Sequence, residues 1–454
     1  MIKKVLIANR GEIAVRIIKA CKEMNIKTVA VYSEEDRQSL HVAFADEAYQ
    51  IGEAAAIKSY LKIENIITVA KLTSCDAIHP GYGFLSENME FRQICEQEQL
   101  IFIGPTVQNL IDLGDKYKAK QIALNAKVPV VQGNEVPLMT EADLEATLAK
   151  LNFPILLKAS HGGGGKGIKK CESLKEALYN YPIIKQEAQK AFNHSGIYVE
   201  ECIQSFMHVE VQIIGDSLGN YTHVGERNCS IQRKMQKLIE ETPSPVLSKE
   251  TREAMCHSAV ALAKSIHYVG VGTVEFLYDY QQDRYYFMEM NTRIQVEHPV
   301  TEMVSSIDLV KEQLRIASGK ELSCKMEEID FSGYSIECRI NAEDPENSFQ
   351  PSTGKITFLA LPTSSPGVRV DTFIYSGYNV SIFYDSLLCK IIVHEKTRQE
   401  AIEKMKTALN TTIIKGVKTN ISFLNSILEE RVFAEGSYDN HYVSDKLECP
   451  LSIV

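Results

Sequence analysis

The sequence predicts an α/β chain of three compact regions. The first hundred or so residues alternate strand-like and helix-like runs, the middle holds a glycine-rich loop between two strand candidates, and beyond about Asp330 the signals are mostly strands. A length of 454 residues agrees, because ordinary domain sizes give roughly two to four domains.

In the first region, residues 5–8 are a short apolar run, and residues 12–24 place Ile13, Val15, Ile17, Ile18 and Cys21 at helical spacing. Residues 28–32 are again strand-like, and such alternation implies a parallel sheet covered by helices. The intervening turn, Asn9-Arg10-Gly11-Glu12, is not G-x-G-x-x-G, so this Rossmann-like order lacks the dinucleotide fingerprint. The second region begins near Gly114-Asp115-Lys116 with a helical stretch. Strands follow at 154–158, 167–171, 197–199 and 208–214, then a long helix at 249–266 and strands at 272–278 and 284–291. In the third, strands are expected at 335–340, 355–361, 368–375 and 387–394, and a helix at 398–409. No repeat of solenoid period and no low-complexity linker is present.

Composition excludes several classes. Lys plus Arg number 49 against 59 Asp plus Glu, a net charge of −10, which argues against a nucleic-acid-binding surface. The 11 cysteines form no C-x-x-C pair, so reduced cytoplasmic thiols account for them better than zinc or disulfides. The first residues run straight into strand-like sequence without a signal-peptide pattern, and no apolar run approaches the ~20 residues that span a bilayer. A cytoplasmic protein with no nucleic-acid or membrane partner is expected.

The loop His161-Gly162-Gly163-Gly164-Gly165-Lys166-Gly167 lets backbone N–H groups turn towards a ligand at close approach, which suits phosphate oxygens. No Ser or Thr follows its lysine and a strand comes next, so it is not a Walker A loop. Just before it, Lys158 ends the apolar run Ile155, Leu156, Leu157, where an unpaired ammonium is costly to bury. Nucleotide phosphates between sheets would answer that cost.

The most informative chemistry is a pair of strands joined by Asp279-Tyr280-Gln281-Gln282-Asp283. A hairpin symmetric about Gln282 sets Glu275 opposite Glu289, an unfavourable pairing that a divalent cation resolves. From Glu289 to Glu297 alternate positions read Glu289, Asn291, Arg293, Gln295, Glu297, with Met290, Thr292, Ile294 and Val296 between them. In an extended chain these sets face opposite ways. One face then carries two acids, two amides and a guanidinium, able to hold a metal at one end and a planar oxyanion at the other. Glu297 would act on that anion as a general base.

The run from Glu289 to Pro299 resembles the biotin carboxylase family of ATP-grasp enzymes almost letter for letter. Residues 7–14 (IANRGEIA), 79–88 (HPGYGFLSEN) and 337–345 (ECRINAEDP) look like further family motifs, so the resemblance covers essentially the whole chain. It implies an N-terminal Rossmann-like domain (1–113), a central ATP-grasp domain (114–330, with a glycine-rich lid at about 131–203) and a β-rich C-terminal domain (331–454). It also implies a reaction: ATP phosphorylates bicarbonate to carboxyphosphate, and the CO₂ released is captured by biotin.

By the same resemblance Lys116, Lys158, Gly163, Gly164 and Gly165 would contact ATP phosphates, and Glu200, Ile203, His208 and Gln232 would hold adenine and ribose. Lys237 would reach the γ-phosphate or bicarbonate, and Glu275, Glu289 and Asn291 would hold Mg2+ or Mn2+ beside the nucleotide. Arg293, Gln295 and the backbone N–H of Val296 would form the bicarbonate pocket, with Glu297 as base. Arg339 would stabilise the biotin enolate, and Tyr82 would lie near the biotin ring. The chain has no Ala-Met-Lys-Met-like biotinylation site, so biotin is expected on a separate biotin carboxyl carrier protein, with separate carboxyltransferase subunits. Acetyl-CoA carboxylase is the commonest setting, and a homodimer is implied. Propionyl-CoA, pyruvate and urea carboxylases use the same module.

Three departures stand out. Asn228-Cys229-Ser230 replaces Asp-Cys-Ser, Met235 replaces a common histidine, and Pro362 to Gly367 replaces a Pro-Gly-Gly run in a segment tied to the dimer contact. An ATP-grasp carboxylate–amine ligase would leave Arg339 and the row around Arg293 unexplained. A silent nucleotide-binding subunit would not need the full set of Lys116, Lys237, Glu275, Glu289, Arg293, Glu297 and Arg339.

Overall fold

Strands β1 (Lys4–Ile7), β2 (Lys27–Ser33), β3 (Glu47–Gly52), β4 (Ala77–His79) and β5 (Ile101–Phe102) form a parallel sheet in the order β3-β2-β1-β4-β5. They are short and apolar because both faces are covered: Val5, Leu6, Ile7, Val29 and Val31 are all fully buried, several of them against helix α1 (Gly11–Glu23). The strand order reverses between β1 and β4, and a crevice opens at such a reversal beyond the strand ends. Glu12, Tyr82 and Glu87 lie in the segments that leave these two strands. This computed structural model describes residues 2–134, 136, 138–159, 167–192, 196–325 and 328–448.

Helix α2 (Lys116–Asn125) opens the second region, capped by the Asp115 side chain. A small lobe follows, in which β6 (Ile155–Ala159) pairs antiparallel with β7 (Ile168–Cys171) and β8 (Ile197–Glu201). Its own core joins Ile155, Leu157, Ile184 and Val199. The loop glycines Gly163, Gly164 and Gly165 lie outside the described residues.

The largest element is an eight-stranded sheet of β9 (Met207–Gly215), β10 (Tyr221–Arg233), β11 (Gln236–Thr242), β12 (Gly270–Asp279), β13 (Arg284–Asn291), β14 (Tyr334–Asn341), β15 (Val368–Thr372) and β16 (Leu387–Glu395). Their order is β13-β12-β9-β10-β11-β14-β16-β15, so one sheet runs through the second and third expected regions. One face is apolar. Val209, Val211, Val274 and Phe276 pack under helix α3 (Lys249–Ser265), and Ile336, Cys338 and Ile391 pack under α6 (Arg398–Thr411). Each such fully buried side chain contributes ~1.5–3 kcal/mol. The other face carries charges and lies against α4 (His298–Ser305), with α5 (Leu309–Ala317) following it. Among the described residues no helix is long and apolar enough to cross a membrane.

Several expected elements differ. Strands β10 and β11, absent from the expected set, are polar on one face because that face is a site rather than a core. The expected strand at 355–361 is two short pieces, Gly354–Lys355 and Phe358–Ala360, which pair with Asn379–Val380 and Ile413–Lys415 respectively. The strand expected at 368–375 ends at Thr372.

Candidate active site

Pleating and register bring the acids together. Glu289, Glu275, Glu210 and Arg227 are successive cross-strand partners on β13, β12, β9 and β10. Two bulges create this row. Near its turn the β12–β13 hairpin pairs Asp279 with Arg284 and Phe276 with Phe287, and the register then slips by one so that Glu275 meets Glu289. The predicted pairing therefore forms, but through a bulge at Met288 and not through a loop symmetric about Gln282. In β10 the slip falls between His223 and Glu226, where Gly225 has φ of 79°. Without it Arg227 would pair with Val209 and point into the apolar core.

The expectation of one extended strand from Glu289 to Glu297 is corrected. Strand β13 stops at Asn291, and Glu297 is the N-cap of α4. Glu87 accepts from the Thr292 N–H (3.1 Å), the Thr292 hydroxyl (3.2 Å) and Arg293 Nε (3.1 Å), drawing this edge segment off the sheet. Alternation survives the change: Ile294 enters the N-terminal core, while Asn291, Gln295 and Glu297 turn to the charged face.

At the centre is Lys237. Its ammonium lies 2.6 Å from Glu210, 2.5 Å from Glu297 and 3.4 Å from Glu275. Burial alone would lower the lysine, but these three carboxylates hold it well above its ordinary value. Glu275 also accepts from Asn291 (2.7 Å) and Gln295 (2.6 Å) and meets His208 Nε2 at 2.9 Å. Burial would raise its carboxyl, but Lys237 and then His208 keep it below the carboxylate range. Glu297 is 2 % exposed and sits between Lys237 and Arg339, whose Nη2 is 2.9 Å from Oε2. Burial is again overridden, here by Lys237, Arg339 and Arg227 in turn, so the carboxyl stays well below its ordinary value.

Arg339 on β14 also donates from Nε to Glu240 Oε1 at 2.6 Å. Arg227 is fully buried and donates to Glu210 (2.6 Å), Gln212 (2.8 Å) and Gln295 (3.0 Å). Arg293 reaches Glu87 and, at 3.1 Å, the Asn291 side-chain oxygen.

The nucleotide-side candidates are more open. Lys116 at the start of α2 faces Glu289 at 3.5 Å, with side chains 41 % and 39 % exposed. Lys158 pairs with Glu200, which Lys120 approaches at 3.6 Å. Gln232 donates to the Cys229 carbonyl at 2.7 Å and lies 2.7 Å from His208 Nδ1. Ile203 is half-buried in the segment after β8. Tyr82 gives its hydroxyl to Glu12, which also meets the fully buried Lys390 at 3.0 Å.

The structure thus gathers Lys237, Glu275, Glu297, Gln295, Asn291, Arg293 and Arg339 on one charged face, with Glu289 and Lys116 at its edge. The sequence reading missed Glu210, Arg227, Glu240 and Glu87, direct partners of these groups, and Lys390, which donates to the Val296 carbonyl beside them. A signal existed for Glu210: residues 208–213 alternate His208, Glu210 and Gln212 with apolar residues, as the run from Glu289 does.

A sheet bearing this row of acids, a small lobe carrying a glycine-rich loop, and a parallel N-terminal sheet together define an ATP-grasp enzyme. The model of the carbamoyl-phosphate synthase L chain ATP-binding domain matches residues 115–325. Those of the biotin carboxylase N-terminal and C-terminal domains match 1–110 and 337–445. The chain belongs to the biotin carboxylase family. It is 51 % identical over 443 residues to biotin carboxylase 1 of Bacillus subtilis, covering 98 % of each chain. It superposes with TM-score 0.94 on the biotin carboxylase–beta-gamma-ATP complex from Campylobacter jejuni, at 44 % identity over 98 % of this chain and 99 % of that one. The biotin carboxylase domain dimer of Hydrogenobacter thermophilus 2-oxoglutarate carboxylase, in complex with MgADP, ADP and bicarbonate, gives TM-score 0.92 at 45 % identity over 98 % of both chains.

Proposed function

We propose that this enzyme carboxylates biotin borne on a separate carrier protein, using ATP and bicarbonate, as the first half-reaction of acetyl-CoA carboxylase in the cytoplasm. The observation that carries the reading is the Glu297 carboxylate held between Lys237 and Arg339 at 2.5 and 2.9 Å. A base, a cation for phosphate or bicarbonate and a cation for a developing enolate converge there.

In this reading Arg293, Gln295 and the Val296 N–H orient bicarbonate. Glu297 takes its proton as a bicarbonate oxygen attacks the γ-phosphorus and ADP leaves. While paired with Lys237 and Arg339, Glu297 is a weak base because both cations depress it. When substrates draw those cations away its proton affinity rises, so the base strengthens as the site fills. Carboxyphosphate then yields CO₂ and phosphate, the phosphate takes the ureido N–H proton of biotin, Arg339 holds the enolate oxygen and the nitrogen attacks CO₂. Lys116, Lys158 and Gly163 to Gly165 bind phosphates, and Glu200, Ile203, His208 and Gln232 bind the nucleoside. Tyr82 borders the biotin ring.

The donor set fits a magnesium or manganese ion at the edge of the row, on Glu275 and Glu289 beside Asn291. Glu289 is half-exposed and faces only a distant Lys116 among the ion pairs described, leaving lone pairs available beside its partner Glu275. A cation there would neutralise phosphate charge. Further in, Lys237 already occupies the space among Glu210, Glu275 and Glu297.

The test is bicarbonate-dependent ATP cleavage, with magnesium present, that rises on adding free biotin. A folded protein indifferent to both additions overturns the reading. The acceptor is tested separately by recovering the biotinylated carrier bound to this chain. A second acceptor has a specific observation behind it: the Hydrogenobacter thermophilus relative belongs to a 2-oxoglutarate carboxylase.

A further inference from the structure

Lys390 is fully buried on β16, where its cross-strand partners are Arg339 and Asp371. A buried ammonium is costly unless its partners repay it. Its ion-pair partners are Glu12 at 3.0 Å and Asp371 at 4.0 Å, the Glu337 carboxyl also lies within electrostatic reach, and its shortest contact is to a neutral group, the Val296 carbonyl at 2.6 Å. Asp371 is separately neutralised by Arg369 at 2.6 Å. A charge whose only task was to staple the domains together would be served by Glu12 alone.

The position of that carbonyl matters. The Val296 carbonyl belongs to the peptide that leads into Glu297. The other backbone bonds of this turn, His298 N–H to the Gln295 carbonyl and Val300 N–H to the Glu297 carbonyl, are both 3.3 Å long. His298 Nδ1 lies 2.8 Å from the Gln295 carbonyl, so the Lys390 contact is the shortest described to a backbone atom of the turn. The side chain of Glu297 is held by Lys237 and Arg339, the two cations that substrates would engage. Its backbone is held by a third cation that has no open path to substrate. The other side of the same ammonium meets Glu12, which accepts the Tyr82 hydroxyl.

We propose that Lys390 is a positioning residue for both halves of the site: it fixes the turn that carries Val296 and Glu297 and, through Glu12, the ring of Tyr82. This deepens the biotin carboxylase reading and rests on it. One ammonium from the C-terminal region thereby ties the bicarbonate pocket to the biotin-facing wall of the N-terminal domain.

The experiment compares Lys390→Met with the paired variant Glu12→Gln/Lys390→Met, which leaves no uncompensated charge if the single variant fails to fold. In either, kcat/KM for bicarbonate in ATP cleavage should fall about 10²-fold, the usual cost of a small misplacement, while KM for MgATP stays at the wild-type value. The paired variant should also show a raised KM for free biotin. A folded paired variant with wild-type bicarbonate kcat/KM, or one whose MgATP and bicarbonate constants shift together, overturns the proposal. A wild-type enzyme without bicarbonate-dependent cleavage would instead remove the functional reading beneath it.

Discussion

The two ends of the charged face are built differently. At one, Lys116 and Glu289 stand 3.5 Å apart with roughly two-fifths of each side chain in solvent. At the other, Lys237 and Glu297 meet at 2.5 Å, 12 % and 2 % exposed, with Arg339 closing on the same carboxylate. The exposed pair is worth little by itself, ~0–1 kcal/mol, and is free to be reorganised by a nucleotide. In the buried cluster every charge is paired before substrate arrives, so the groups stand in place and a substrate has only to exchange partners with Lys237 and Arg339. Binding is left adaptable at one end while the reacting groups are fixed at the other.

The sharpest way to break this contrast is Lys237→Met. It removes the one cation shared by the buried Glu210, Glu275 and Glu297, so we expect turnover to be abolished and stability to fall by ~3–5 kcal/mol in chemical unfolding. A variant as stable as wild type would show that the buried end is not held by its ion pairs. Glu297→Gln follows: turnover should drop ~10²–10⁴-fold, the range for a lost general base, with nucleotide affinity retained in calorimetry.

Acid provides a graded version of the same test. Glu275 and Glu297 have carboxyls held below their ordinary 4.5, so the folded state binds fewer protons than the unfolded one as pH falls through that region. Their stabilising contribution is complete above that pH and is lost progressively below it. The stability gap between wild type and Lys237→Met, followed by urea midpoints, should therefore narrow on acidification. A constant gap would contradict the assignment.

Smaller effects belong to the exposed end and to groups outside the ion-paired row. Lys116→Ala should raise KM for ATP several-fold while changing stability by no more than ~1 kcal/mol. Glu337 is fully buried with both oxygens lacking a hydrogen-bond partner, and burial pushes its carboxyl well above the ordinary carboxylate range. Glu337→Gln should accordingly change stability by only ~1 kcal/mol, read as a small shift in the thermal midpoint. A large loss would mean that Glu337 is ionised and paired with Lys390.

Much of the fold was legible because its local rules agree with its packing. Strands β1, β2, β6, β9, β12 and β13 and helices α1, α3 and α6 lie where apolar spacing set them, since one face of each is buried in a core. Strands β10 and β11 were not legible. Arg227, Lys237 and Glu240 interrupt any apolar alternation because their partners lie across the sheet. The polar row from Glu289 to Glu297 was visible as a row, but not its departure from the sheet at Asn291, which depends on Glu87 more than 200 residues away.

By itself, the sequence determined the chemistry on offer: the family motifs, the alternation that sends Glu289, Asn291, Arg293, Gln295 and Glu297 one way, and Arg339 as a distant cation. Only the tertiary structure decided which charges meet. Two bulges set the register that aligns Glu289, Glu275, Glu210 and Arg227, and the pairing of β11 with β14 brings Arg339 to Glu240 and Glu297. Register is a property of paired strands. A one-residue slip reverses the face of every side chain beyond it, and no single strand records where its partner will slip.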